Sequence, residues 1–178
     1  MGYEELYDKS WDLYKKKMMV NSLDSMMMGK IISTFLDRGY YLLKLSSHQT
    51  STSCRFDRGK SERIRLDLTL PILSLGQLYA FGGICTMTVW KGVQRDLSGF
   101  LGGQLKEVLS LVRGSPEPGV YMVKQDGTSY FVGTTVYFNV KDHVDLENLS
   151  VDVSVVMDMV DEVIDEIDRM DDSLGAVE

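Results

Sequence analysis

The chain has 178 residues, 44% of them apolar and 25% charged, with a formal net charge of −7. That length supports one domain with its own core, without disulfides or metals. The ordinary globular mix excludes a fibrous or disordered chain, and no apolar run reaches the roughly 18 residues of a membrane span.

The charge is segregated. Residues 1–140 carry 17 basic and 13 acidic side chains, whereas residues 141–178 carry 2 basic and 13 acidic. The acidity therefore belongs to the C-terminal segment, and the body is mildly basic. The opening MGYEELYDKSWDLY is charged from its fourth residue, so no secretory leader is expected. Two cysteines, Cys54 and Cys85, stand in apolar, strand-like contexts and read as free buried thiols of a cytoplasmic protein.

Residues 3–19 predict a helix, a 1–20 N-terminal extension. Tyr3, Tyr7, Trp11, Tyr14 and Met18 recur at steps of four and three, which keeps them on one face. Asn21 and Ser22 break the pattern and offer a cap for a second helix over about 23–38. Its apolar set is Leu23, Met26, Met27, Ile31, Thr34 and Phe35, and Gly39 ends it.

The period then changes. Tyr41 to Leu45 reads as a short strand and 46–53 as a polar connector. A hairpin follows, with strands near 52–57 and 62–70 and turn chemistry at Asp57, Arg58, Gly59 and Lys60. In its second strand Ile64, Leu66, Leu68 and Leu70 face one way and Arg63, Arg65, Asp67 and Thr69 the other. Period 2 with one apolar face predicts an antiparallel sheet covered on one side only. Residues 77–91 form another strand region, with a bend at Gly82–Gly83. Residues 96–112 return to helical spacing. A second hairpin turns at Asp126–Gly127; a loop of those two residues sets Lys124 against Ser129 and Met122 against Phe131. A last helix starts between Asp145 and Ser154. Its buried face is Val156, Met159, Val160, Val163, Ile164, Ile167 and Met170, its wet face is acidic, and 171–178 fray.

Runs of strands between helices, without alternating βα units, predict one α+β domain over 1–178. Its antiparallel sheet has helices packed on one face, in the order helix, helix, strands, helix, hairpin, helix.

No catalytic signature emerges. His48 and His143 lie in polar loops, and no cysteine pair has ligand spacing, so no metal or cofactor is expected. Gly59–Lys60–Ser61 imitates the end of a P-loop, but Cys54 stands where the first glycine belongs. Cys54 follows Phe56 inward by the strand period and reads as inert.

The C-terminal portion GVYMVKQDGTSYFVGTTVYFNV, followed by the acidic helix MDMVDEVIDEIDRM, resembles the end of YbjN-like proteins and type III secretion chaperones. That resemblance implies a non-enzymatic role, docking segments of other proteins or regulating them, often as a homodimer.

Three functions follow as expectations. The first is a protein-interaction module, chaperone-like or regulatory, that offers Tyr3, Tyr7, Trp11, Met26, Met27 and Met28 to a protein partner, with no membrane involved. The second is a nucleic-acid or polyanion binder using Arg55, Arg58, Lys60, Arg63 and Arg65; these cations can equally pair with the chain's own acidic helix. The third is a small enzyme using His143 or His48 with a carboxylate.

Overall fold

The structure, a computed structural model, describes residues 2–18, 23–59, 63–72, 83–100, 121–145 and 150–175. Two helices open the chain, α1 (Tyr3–Lys17) and α2 (Leu23–Asp37). Four strands follow: β1 (Tyr40–Ser47), β2 (Ser51–Arg58), β3 (Ile64–Pro71) and β4 (Ile84–Val93). A 3-10 turn spans Ser98–Phe100. Then come β5 (Tyr121–Asp126), β6 (Ser129–Asn139), a 3-10 turn Val140–His143, the short pair β7 (Val144–Asp145) and β8 (Ser150–Val151), and α3 (Ser154–Gly175). The expected helix over 96–112 falls largely outside the described residues, as do Lys60 and positions 77–82 of the expected strand.

The main sheet has six strands in the order β1-β2-β3-β4-β6-β5, antiparallel throughout. This is the α+β architecture expected, with α1 and α2 before the strands and α3 after them. Among the described residues no helix is long and apolar enough to cross a membrane.

The period of β3 decides which face is covered. Ile64, Leu66, Leu68 and Leu70 are buried and alternate with half-exposed residues. Their cross-strand partners continue the apolar layer: Phe56 opposite Leu66, Cys54 opposite Leu68, then Val89 and Met87 on β4. Phe35 of α2 packs edge-on against Phe56 from above. Val156, Met157, Val160, Val163, Ile164, Ile167 and Met170 of α3 join the same core. Met157, not Met159, completes that stripe, because Met159 is only half buried.

Two local expectations change. The 46–53 connector is mostly strand: β1 runs to Ser47, β2 begins at Ser51, and the polar side chains lie along a sheet whose other face is apolar. Cross-strand pairing of Asp126 with Ser129 makes Gly127–Thr128 the two-residue loop, so Lys124 pairs with Phe131 and Met122 with Gly133. Gly127 has φ +63, the left-handed conformation that glycine adopts freely. The partners move by two residues, so each side chain keeps its face.

The free edge of β1 is closed by α1. Ser10, fully buried, donates to the Leu6 carbonyl at 2.7 Å and accepts the Leu42 N–H at 2.8 Å. Tyr3 donates from its hydroxyl toward the carbonyls of Leu36 and Tyr40. Tyr14 donates to the Ser25 carbonyl at 2.8 Å and ties α1 to α2. Side chains of a helix thus satisfy edge groups that a further strand otherwise takes.

Candidate functional site on the open face of the sheet

The face of the sheet turned away from α2 and α3 is polar and aromatic. Strand alternation places Tyr41, Lys44, Arg55, Asp57, Arg65, Asp67, Thr69, Thr88, Trp90, Lys124, Phe131 and Thr135 on it. Cross-strand ion pairs run along it: Arg55 to Asp67 at 2.6 Å and Arg65 to Asp57 at 3.0 Å. Thr88 and Thr135 share a hydrogen bond of 2.9 Å.

Phe131 is the centre of this face. It is 6% exposed although it stands outside the core. Cations hide it. The guanidinium carbons of Arg63 and Arg65 lie 5.0 and 5.7 Å from its ring centroid, and the Lys124 ammonium lies 5.6 Å away. Lys124 also sits 3.9 Å from the centroid of the Trp90 ring. Each contact is attractive because the π-face is negative. Burial, and then the neighbouring charge of Arg65, push the Lys124 pKa down.

Two glycines make this packing possible. A Cβ on Gly133 would stand 2.4 Å from Trp90 Cε3, and one on Gly92 would stand 2.8 Å from Arg63 Cβ. Trp90 and Arg63 therefore lie flat across neighbouring strands. Arg63 itself has φ +50, which costs a non-glycine residue about 1–2 kcal/mol. A cleft of about 290 Å³ opens beside it, lined by Tyr41, Asp57, Arg63, Arg65, Asp126 and Phe131.

Four of the five cations of the expected basic hairpin lie among the described residues, and they are held differently. Arg55 and Arg65 are on the open face with carboxylate partners, and Arg63 is there on Phe131. Arg58 is the last residue of β2, not a turn residue, and lies over the Tyr40 ring at 5.3 Å. Lys60 is outside the described residues. Among the described residues, Asp161, Asp168 and Asp171 of the acidic helix pair with Arg38, Lys91 and Arg95.

The expected interaction residues also divide. Met27 and Met28 are buried core, because α2 turns that side onto the sheet. Tyr3 is 41% exposed but uses its hydroxyl inside the chain. Trp11 packs edge-on between Tyr7 and Tyr14. Tyr7 and Met26 remain exposed, at 37% and 41%.

For chemistry, His48 lines a second cleft of about 180 Å³ with Ser53, Arg55 and Asp67. Asp67 is engaged by Arg55, and no hydrogen bond among the described residues orients the His48 ring. His143 closes the 3-10 turn after β6. Burial raises the pKa of both cysteines, that of Cys85 to about 12, so neither is a ready thiolate. Among the described residues no group of three or more His, Cys, Asp or Glu is placed to hold a metal ion.

Lys124, Trp90 and Phe131 were missed by sequence reading. A lysine two residues before a hairpin turn is an ordinary exposed position; only the pairing of β4 and β5 with β6 brings the three together.

Fold and surface together define an α+β protein whose antiparallel sheet is roofed on one face and presents cations held on aromatic rings on the other. The chain belongs to the MJ1278 domain family, which it matches over residues 2–170. It is similar to "Uncharacterized protein MJ1279" of Methanocaldococcus jannaschii, at 26% identity over 155 residues, 83% of this chain and 80% of that one. No solved structure matches it.

Proposed function

We propose that the protein is a non-enzymatic binding module, and that the open face of its sheet takes single-stranded nucleic acid. The observation that carries this reading is a pair of cations, Arg63 and Lys124, that have no carboxylate partner among the described residues and are held on Phe131 and Trp90. Single strands are bound by combining backbone-tracking cations with flat surfaces on which bases stack. Tyr137, 65% exposed on the same face, extends the aromatic surface.

The net negative charge does not oppose this. It is concentrated on α3, on the other side of the sheet, a layer of about 10 Å. At about 0.1 M salt that is one screening length. A cytoplasmic setting belongs to the same proposal, since both thiols are free.

The test is fluorescence anisotropy with a labelled single-stranded 20-mer. Affinity should fall by about tenfold or more between 50 and 200 mM salt. The double variant Arg63→Glu, Lys124→Glu should weaken binding by a further tenfold or more at low salt. Binding that ignores both salt and the substitutions, or no binding at 50 mM salt, overturns the reading.

A second reading, a chaperone-like or regulatory protein-interaction module acting as a homodimer, is supported by the exposure of Tyr7 on α1 and of Met26 on α2. Light scattering on the intact chain and on the Tyr7→Ser, Met26→Ser variant tests it. A dimer that the variant dissociates favours it, and a monomer in both cases removes self-association.

A further inference from the structure

We infer that the cleft beside Phe131 is a site for one phosphate group, held by Arg63 and Arg65, with Asp126 as a carboxylate that the phosphate displaces. The inference rests on the reading of the open face as an anion-binding surface and adds the group it grips.

The two arginines are held differently. Arg65 is fixed at one end: its Nε donates to Asp57 at 3.0 Å, and both side chains are about one-fifth exposed. Its Nη1 faces Asp126 at 3.7 Å, longer than a hydrogen bond. The Asp126 side chain is 64% exposed and stands at a hairpin tip. Asp57 therefore orients the guanidinium, and Asp126 only neighbours it. A phosphate oxygen at Nη1 replaces a loose contact with a charge-assisted hydrogen bond.

Arg63 supplies the second donor. No carboxylate among the described residues pairs with it. Its left-handed backbone and the clearance at Gly92 set its side chain along the sheet, onto Phe131 and into the cleft wall. Strained backbone of this kind persists where the surroundings enforce it and is concentrated at binding sites.

The charge count fits. Among the described residues, with Asp126 in place, the cleft is lined by two cations, Arg63 and Arg65, and two carboxylates, Asp57 and Asp126. When Asp126 turns to solvent, a net positive charge remains, and Lys124 beyond the same ring adds to it. The cleft volume, about 290 Å³, is at the lower end of ligand pockets. It suits a phosphate with the sugar it is esterified to, rather than a whole dinucleotide.

The test is a set of titrations of the intact chain, followed by NMR of arginine Nε and backbone amide signals. The probes are inorganic phosphate, adenosine monophosphate and the single-stranded 20-mer, each at constant ionic strength with chloride as control. Phosphate and the mononucleotide should shift Arg63, Arg65 and Asp126 signals saturably. Arg63→Gln should weaken both by about tenfold. Asp126→Asn, which keeps a turn-forming residue, should tighten both by about threefold. A gain of binding cannot come from misfolding. If phosphate saturates these signals and the 20-mer does not bind, the site stands and the strand reading falls. If the 20-mer binds but Arg63→Gln and Asp126→Asn leave its affinity unchanged, the strand reading stands and the site falls. Shifts no larger than those with chloride, or weaker binding in Asp126→Asn, overturn the inference.

Discussion

Trp90 lies flat on Gly133: a Cβ at that glycine would be 2.4 Å from Trp90 Cε3 and 2.7 Å from the Val89 carbonyl oxygen. One of those atoms belongs to a large ring and the other to backbone, so neither yields cheaply. Gly133→Ala should lift the indole off the sheet and release Lys124 from it. The expected destabilisation is about 1–3 kcal/mol, the range for overpacking. Urea unfolding measures it, and a change in indole emission should accompany it.

The α1–β1 edge contact makes a second prediction. Ser10→Ala leaves the Leu42 N–H buried with no acceptor, since the serine hydroxyl is its partner at 2.8 Å. The cost should be about 1–3 kcal/mol. Ser10→Thr keeps an acceptor and should cost less. Equal midpoints for wild type and Ser10→Ala in denaturant would remove the edge-closing role of α1.

Thr52 points the other way. It is fully buried on the inner face of β2, and its Oγ1 has no hydrogen-bond partner among the described residues. Thr52→Val replaces the hydroxyl with a methyl of similar shape and keeps the β-branch that strands favour. It should raise stability by about 1 kcal/mol. A fall in the melting temperature would mean that the hydroxyl is satisfied in solution.

Cys85 gives a pH prediction. Burial raises its pKa from 9.0 to about 12. Between those values the unfolded chain loses the thiol proton and the folded chain keeps it, so the unfolded state binds fewer protons. Stability is then present in full below about pH 9 and is lost as pH rises toward about 12. Cys85→Ala should flatten that part of the profile, measured as denaturant midpoint against pH. Native Cys85 should also resist thiol reagents at pH 8 and react once unfolded.

Much of this molecule is written in periods along the chain. The alternation from Ile64 to Leu70 assigns one apolar face to β3, and the stripe from Val156 to Met170 assigns one to α3, because burial repeats with the backbone geometry of each element. The chain alone also marks the stop at Gly39 and a hairpin near Asp126–Gly127. Partners across the sheet are another matter. The partners of Arg55 and Arg65 depend on the register within their hairpin, and the stacking of Lys124 on Trp90 and the bond from Leu42 to Ser10 depend on elements far apart in sequence. Met27 and Met28 show the same limit: methionine suits a core and an interface alike, and only the rotation of α2 over the sheet chose the core. Local pattern tells which side of an element avoids water; what stands opposite that element is decided by pairing and packing over long sequence separations.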